Sequence, residues 1–136
     1  MPAPSSFDYA IVRLVPNVER EEFINVGVIL FCKTRRFLDA RIELDQKRLA
    51  SLEPNFDVTK AQEHLELIPR ICRGDNSPVG RLSQAERFHW LITPRSTVIQ
   101  ISPVHTGLCA DPAEALEHLL ETMVKVNKST QEEFEN

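Results

Sequence analysis

Three features of the chain predict an α+β fold: an antiparallel sheet of about four strands packed with two to four helices as a two-layer sandwich. Two apolar runs with a period of two fill FDYAIVRLVPNVEREEFINVGVILF, residues 7–31, and a third alternating run follows a short basic turn. Helical spacing then takes over, interrupted by one further alternating run near residue 100. Strands grouped first and helices grouped later favour an α+β arrangement over the repeated strand–helix order of a parallel sheet. The 136 residues suit one domain with one proper core. That domain is placed at residues 7–126, with 1–6 and 127–136 as loose termini.

The first strand is expected over residues 8–15, with Ala10, Val12 and Leu14 on one face and Tyr9, Ile11, Arg13 and Val15 on the other. Pro16 and Asn17 stop it, and a polar link over 17–21 leads into a second strand over 22–32. There Ile24, Val26, Val28 and Leu30 oppose Phe23, Asn25, Gly27, Ile29 and Phe31, so both faces are largely apolar and the strand is central. A tight turn over 33–36 joins it to a third strand over 37–44, whose Leu38, Ala40, Ile42 and Leu44 alternate with Phe37, Asp39, Arg41 and Glu43.

A short helix over 45–52 ends before Pro54. Asp57 then caps a longer one that carries Val58, Ala61, Leu65, Ile68 and Cys72 on one side. Pro69 is expected to kink or end it near Ile68, because proline costs about 3 kcal/mol in a helix interior. GDNSPVG, residues 74–80, reads as a mobile loop. Ser83 caps a helix over 84–91, closed by Thr93-Pro94, and a fourth strand over 97–102 sets Ile99 and Ile101 against Val98, Gln100 and Ser102. Residues 103–110 read as a loop turning at Gly107. Asp111-Pro112-Ala113-Glu114 gives an N-cap, a proline at the first helical position and an acid three residues after the cap. The helix it starts bears Ala115, Leu116, Leu119, Leu120, Met123 and Val124 as one apolar stripe.

Composition narrows the function. Hydrophobic residues are 42% and charged residues 26%, an ordinary globular balance. No apolar run approaches the roughly 20 residues that span a bilayer, and MPAPSSFDY lacks a basic region followed by an apolar core, so the expected location is cytoplasmic. A net charge of −4, with Lys33, Arg35 and Arg36 as the only dense basic group, disfavours nucleic acid, where affinity rests largely on counterion release. That basic group reads better as a charged turn guarding the sheet than as a phosphate contact. Cys32, Cys72 and Cys109 are odd in number and form no CxxC pair, which points to reduced thiols and no disulfide framework.

Catalytic signatures are missing. The chain has no GxSxG elbow, no glycine-rich phosphate loop and no kinase motif. Glu86-x-x-His89 supplies one half of a carboxylate-bridged di-iron pattern without the other, and His105 and Cys109 lack zinc-like spacing, so no metal and no cofactor is expected. Whether the chain is an enzyme stays open. Pairing of the first three strands would bring Arg13, Asn25, Arg41 and Glu43 to one face, joined from the fourth by Gln100 and Ser102 with Arg95 at its mouth. Two arginines among amide and hydroxyl groups suit an anion. The same residues also suit an internal network, with Arg13 spent on Glu22 or Glu43.

YAIVRLVPNVEREEFINVGVILF at 9–31 and FHWLITPRSTVIQISPVHTGLCADP at 88–112 together resemble the bacterial domain of unknown function 3037 (DUF3037) family, with the likeness running to about Val124. The resemblance brings no established activity. It implies a small stand-alone bacterial protein, often encoded near a kinase-like protein similar to the HipA toxins, and therefore a HipA-like kinase as a partner. Its polar family-like positions are Arg13, Glu22, Asn25, Arg95, Gln100 and Ser102. The leading expectation is a non-enzymatic interaction or regulatory module that binds such a partner or forms a homo-oligomer. The alternative is an enzyme or ligand-binding domain that takes a phosphorylated or nucleotide-like molecule on an arginine-lined sheet face.

Overall fold

The structure, a computed structural model, describes residues 3–125. The loose termini expected at 127–136, and at Met1 and Pro2, lie outside the described residues. The α+β sandwich forms as the element order predicts. Its strands are β1 (Ser5–Asn17), β2 (Glu22–Cys32), β3 (Phe37–Ile42), β4 (Ile99–Ile101) and β5 (His105–Cys109). The helices are α1 (Gln46–Leu52), α2 (Val58–Arg73), α3 (Gln84–Ile92) and α4 (Pro112–Leu119), which continues into a π-helical turn, Leu120–Val124. A 3-10 turn, Val18–Arg20, links β1 to β2.

β1 is the axis of the antiparallel sheet. β2 and then β3 lie on one side of it, while β4 and β5 share the other, pairing with residues 12–14 and 5–9 respectively. Residues 103–110, expected as a loop, thus contain a strand, and it gives Ser5 and Ser6 partners in Cys109 and Leu108. Those two residues therefore belong to the sheet. Arg35 ties the same end down, its Nε donating to Ser5 Oγ at 3.0 Å and its Nη2 to the Ala3 carbonyl at 3.3 Å. Gly107 makes no turn: the Phe7 ring lies across it, and a Cβ there would fall 2.6 Å from Phe7 Cζ.

A bulge in β2 decides which side chains meet. Val12 pairs with Gly27 but Arg13 pairs with Asn25, so Val26 is an extra residue and the alternation changes phase there. Ile24 and Val26 consequently share a face with Ile29 and Phe31, not with Val28 and Leu30 as strict alternation predicts. On that face they pack with Val12, Leu14, Leu38 and Ala40 against Leu49 of α1, Leu65 and Ile68 of α2, and Phe88 and Leu91 of α3. On the other face Phe7, Ile11, Val28, Leu30 and Cys32 meet Leu116 and Leu119 of α4 and Leu120 and Val124 of the π-helical turn. Helices thus cover both faces of the sheet.

The caps form where the sequence places them, at Asp45, Asp57, Ser83 and Asp111. Pro69 neither ends nor divides α2, which runs on to Arg73. Leu65 and Ile68 before the proline and Ile71 and Cys72 after it are all buried, and that packing offsets the lost backbone bond. The 74–80 loop, expected to be mobile, is closed on itself. Asp75 Oδ1 accepts from the Ser77 N–H at 3.0 Å, Ser77 Oγ accepts from the Gly80 N–H at 3.0 Å, and Arg87 Nη1 reaches the Gly80 carbonyl at 3.4 Å. The Ser77 hydroxyl, which donates to Asp75 Oδ1, and after it the Ser77 N–H hold the Asp75 carboxyl below its ordinary pKa.

Candidate functional site

Because of the β2 bulge, Gln100, Arg13 and Asn25 stand opposite one another across β4, β1 and β2. Arg13 and Asn25 face the α4 side, toward the end of the π-helical turn, where Asn25 Nδ2 donates to the Met123 carbonyl at 3.0 Å. The i→i+5 bond from Lys125 N–H to the Leu120 carbonyl, 2.9 Å, widens the last turn and turns Met123 out of the expected stripe, leaving it 44% exposed. Phe23, two residues before Asn25 and on the same face, is 45% exposed. The Arg13 guanidinium lies 4.5 Å from its ring centroid. A cation thus stacks on an exposed aromatic ring and stands across the strands from an amide, which in turn holds the Met123 carbonyl.

The acids expected to neutralise Arg13 are engaged elsewhere. Glu22 pairs with Arg20, and Glu43 faces Lys125 at 3.7 Å. Arg41 pairs with Glu117 of α4. Among the described residues no carboxylate lies within ion-pair reach of Arg13. Its buried Nε and the neighbouring Asn25 Oδ1 both lack hydrogen-bond partners among those residues. Among the described residues a donor and an acceptor are thus left open one strand apart.

The other predicted residues are placed differently. Glu22 lies at the hairpin end in its exposed pair with Arg20. Ser102 is buried and its hydroxyl is spent on the fold: Oγ accepts from the Ile11 N–H at 2.8 Å and donates to the Pro103 carbonyl at 2.9 Å. There it stands in for a backbone carbonyl while the chain steps from β4 to β5. Ser102→Ala is therefore expected to cost about 1–3 kcal/mol in urea unfolding by orphaning a buried N–H. An unchanged midpoint would free the hydroxyl for other work.

Arg95 does not converge with Arg13. It lies on the opposite side of the sheet, its guanidinium 3.5 Å from the Trp90 ring centroid and its Nη1 donating to the Trp90 carbonyl at 2.6 Å. Desolvation there lowers its pKa from the ordinary arginine value and leaves it a cation at neutral pH. Arg95 and Trp90 border a cavity of about 490 Å³ between α2, α3 and β4, lined also by His64, Leu67, Thr97 and Gln100. Gln100 turns its amide back to the Thr97 carbonyl at 2.9 Å. Sequence reasoning missed Phe23, Met123 and Trp90 as site residues. Phe23 was legible as sharing a strand face with Asn25, Met123 only through the π turn, and Trp90 through the short step from a helix end to Arg95.

The thiols are inert by placement. All three are free and buried, and burial first, then the Asp39 charge, pushes the Cys72 thiol up to about 12. Burial also raises Cys109. Cys72 is thus protonated in the folded chain, whereas unfolding returns it toward its ordinary value of 9.0. Its contribution is fully present below pH 9.0 and is lost as pH rises from there toward about 12. Cys72→Ala is expected to flatten that alkaline slope in denaturant titrations, and native Cys72 should resist a disulfide reagent at pH 8. Rapid native labelling would contradict the burial. Among the described residues no three His, Cys, Asp or Glu side chains come together as a metal site, and no helix is long and apolar enough to cross a membrane.

No curated protein and no solved structure matches the chain. A family model described as a protein of unknown function, DUF3037, matches residues 9–124, a span that holds the Arg13–Asn25 row, the Trp90–Arg95 stack and the π turn. The chain belongs to the DUF3037 family.

Proposed function

We propose that the chain is a non-enzymatic interaction module of the bacterial cytoplasm that docks a protein partner on the face formed by Arg13, Phe23, Asn25 and Met123. The observation that carries this reading is Arg13 itself, a half-buried cation stacked on an exposed aromatic ring and without a carboxylate partner among the described residues. Arginine, aromatic residues and methionine are the types enriched where proteins bind one another, and a few such anchors carry most of the affinity. A partner that presents a carboxylate beside an apolar group would pair with the guanidinium and cover Phe23 and Met123. The family resemblance points to a HipA-like kinase as that partner.

The test is association of the purified chain with a HipA-like kinase, followed by light scattering after gel filtration. A stable heterocomplex that Arg13→Glu abolishes supports the reading. Failure of the two proteins to associate, or an equally stable complex with the variant, contradicts it.

A further inference from the structure

The cavity on the other side of the sheet is independent of that docking face, and its lining has a definite chemistry. Its volume, about 490 Å³, falls within the range of about 300–1,000 Å³ typical of small-molecule sites. Leu67, Ile68 and Ile71 of α2 form one wall, and Leu91 of α3 with Ile99 and Ile101 of β4 form the rest. Among the described residues no Asp or Glu lines it; Arg95 and His64 are the only ionisable groups that do. We infer that this cavity binds a small organic acid, an apolar body carrying one carboxylate, with the body against α2 and β4 and the carboxylate on Arg95.

Arg95 is held for such a role. Its plane rests on Trp90 and one nitrogen is fixed to the Trp90 carbonyl, while its Nε and Nη2 have no protein acceptor among the described residues. A guanidinium whose outer edge is open and whose orientation is set loses little freedom when it takes a carboxylate. Of the rim hydroxyls, Thr93 donates to the His89 carbonyl, whereas Ser96 only accepts, from the Val98 and Ile99 N–H groups, which leaves the O–H groups of Ser96 and Thr97 to assist. A phosphate fits less well. The cavity offers one arginine and lies at the C-terminal end of α3, the negative end of its dipole, which opposes a dianion more than a singly charged carboxylate. The predominantly apolar wall likewise calls for a ligand with an apolar body.

The chain contains a single tryptophan, Trp90, so its emission reads this cavity directly. The experiment titrates the protein with 4-phenylbutyrate, its uncharged amide 4-phenylbutyramide and inorganic phosphate, recording tryptophan emission and calorimetric heat together. The expected result is saturable binding of the carboxylate, with the amide at least about tenfold weaker, as is the carboxylate on Arg95→Gln. Lys33→Gln should bind the carboxylate as the parent does, because Lys33 lies in the turn between β2 and β3 and does not line the cavity. Equal binding of carboxylate and amide would reduce the cavity to an apolar hole. Equal binding of phosphate would make Arg95 a general anion contact, and absence of saturable binding by both readouts would remove the site. Each of these three results overturns the inference, and all three are read on the unmodified chain.

Discussion

Gly27→Val is expected to destabilise the fold by about 3 kcal/mol, the largest effect of any single exchange considered. A Cβ at Gly27 would lie 2.5 Å from Ile42 Cδ1 and 2.7 Å from the Arg41 carbonyl oxygen. The isoleucine terminus can swing aside, but the carbonyl is fixed in the β2–β3 ladder, so room is made only by spreading the two strands. The damage falls where Val26 bulges from β2, which is what sets Asn25 opposite Arg13. Small domains hold only about 5–15 kcal/mol in all, so the loss should move the urea midpoint strongly. Gly27→Ala should do the same to a smaller extent. Midpoints unchanged in both variants would mean that β3 does not lie as close to Gly27 as described.

Arg13→Glu is expected to weaken the proposed complex with a HipA-like kinase by on the order of 100-fold, about 2.7 kcal/mol, while the chain stays folded. The exchange removes the charge-assisted bonds offered to a partner carboxylate and sets like charges against one another. Phe23→Ala should cost less, about tenfold, since it removes the platform but leaves the cation. Affinities for the two variants that match the parent's would place the interface elsewhere on the molecule.

The local signals in the chain were faithful. Asp57, Ser83 and Asp111-Pro112 start helices because a side-chain oxygen or a fixed φ meets the open N–H groups of a first turn, an interaction complete within four residues. Ala10, Val12 and Leu14 alternate with Tyr9, Ile11 and Arg13 for an equally local reason. What escaped the sequence depends on distant partners. β5 exists because Ser5–Tyr9 pairing supplies its ladder from about a hundred residues away, and the phase change at Val26 shows itself only in the pairing of β2 with β1. α2 passes through Pro69 because packing on both sides outweighs a local penalty.

The candidate site shows the same division. Arg13, Asn25 and Gln100 were singled out as polar residues in apolar strands, and the structure sets them in one row. Arg95 was grouped with them because β4 follows it closely in sequence, yet the chain reaches β4 from the α3 side and leaves Arg95 on Trp90. Ser102 was grouped by alternation, and a step in the edge strand claims its hydroxyl. Neither outcome has a signature in neighbouring residues.

The most direct measurement of the central claim, that Arg13 is held for a partner and not consumed inside the fold, is the unfolding free energy of Arg13→Ala beside the parent chain. The arginine stacks on Phe23 and its buried Nε has no partner among the described residues, so the account predicts a loss of about 1 kcal/mol or less. A loss of about 3–5 kcal/mol, the cost of leaving a buried carboxylate unpaired, would show that Arg13 belongs to an internal ion pair and would contradict the account.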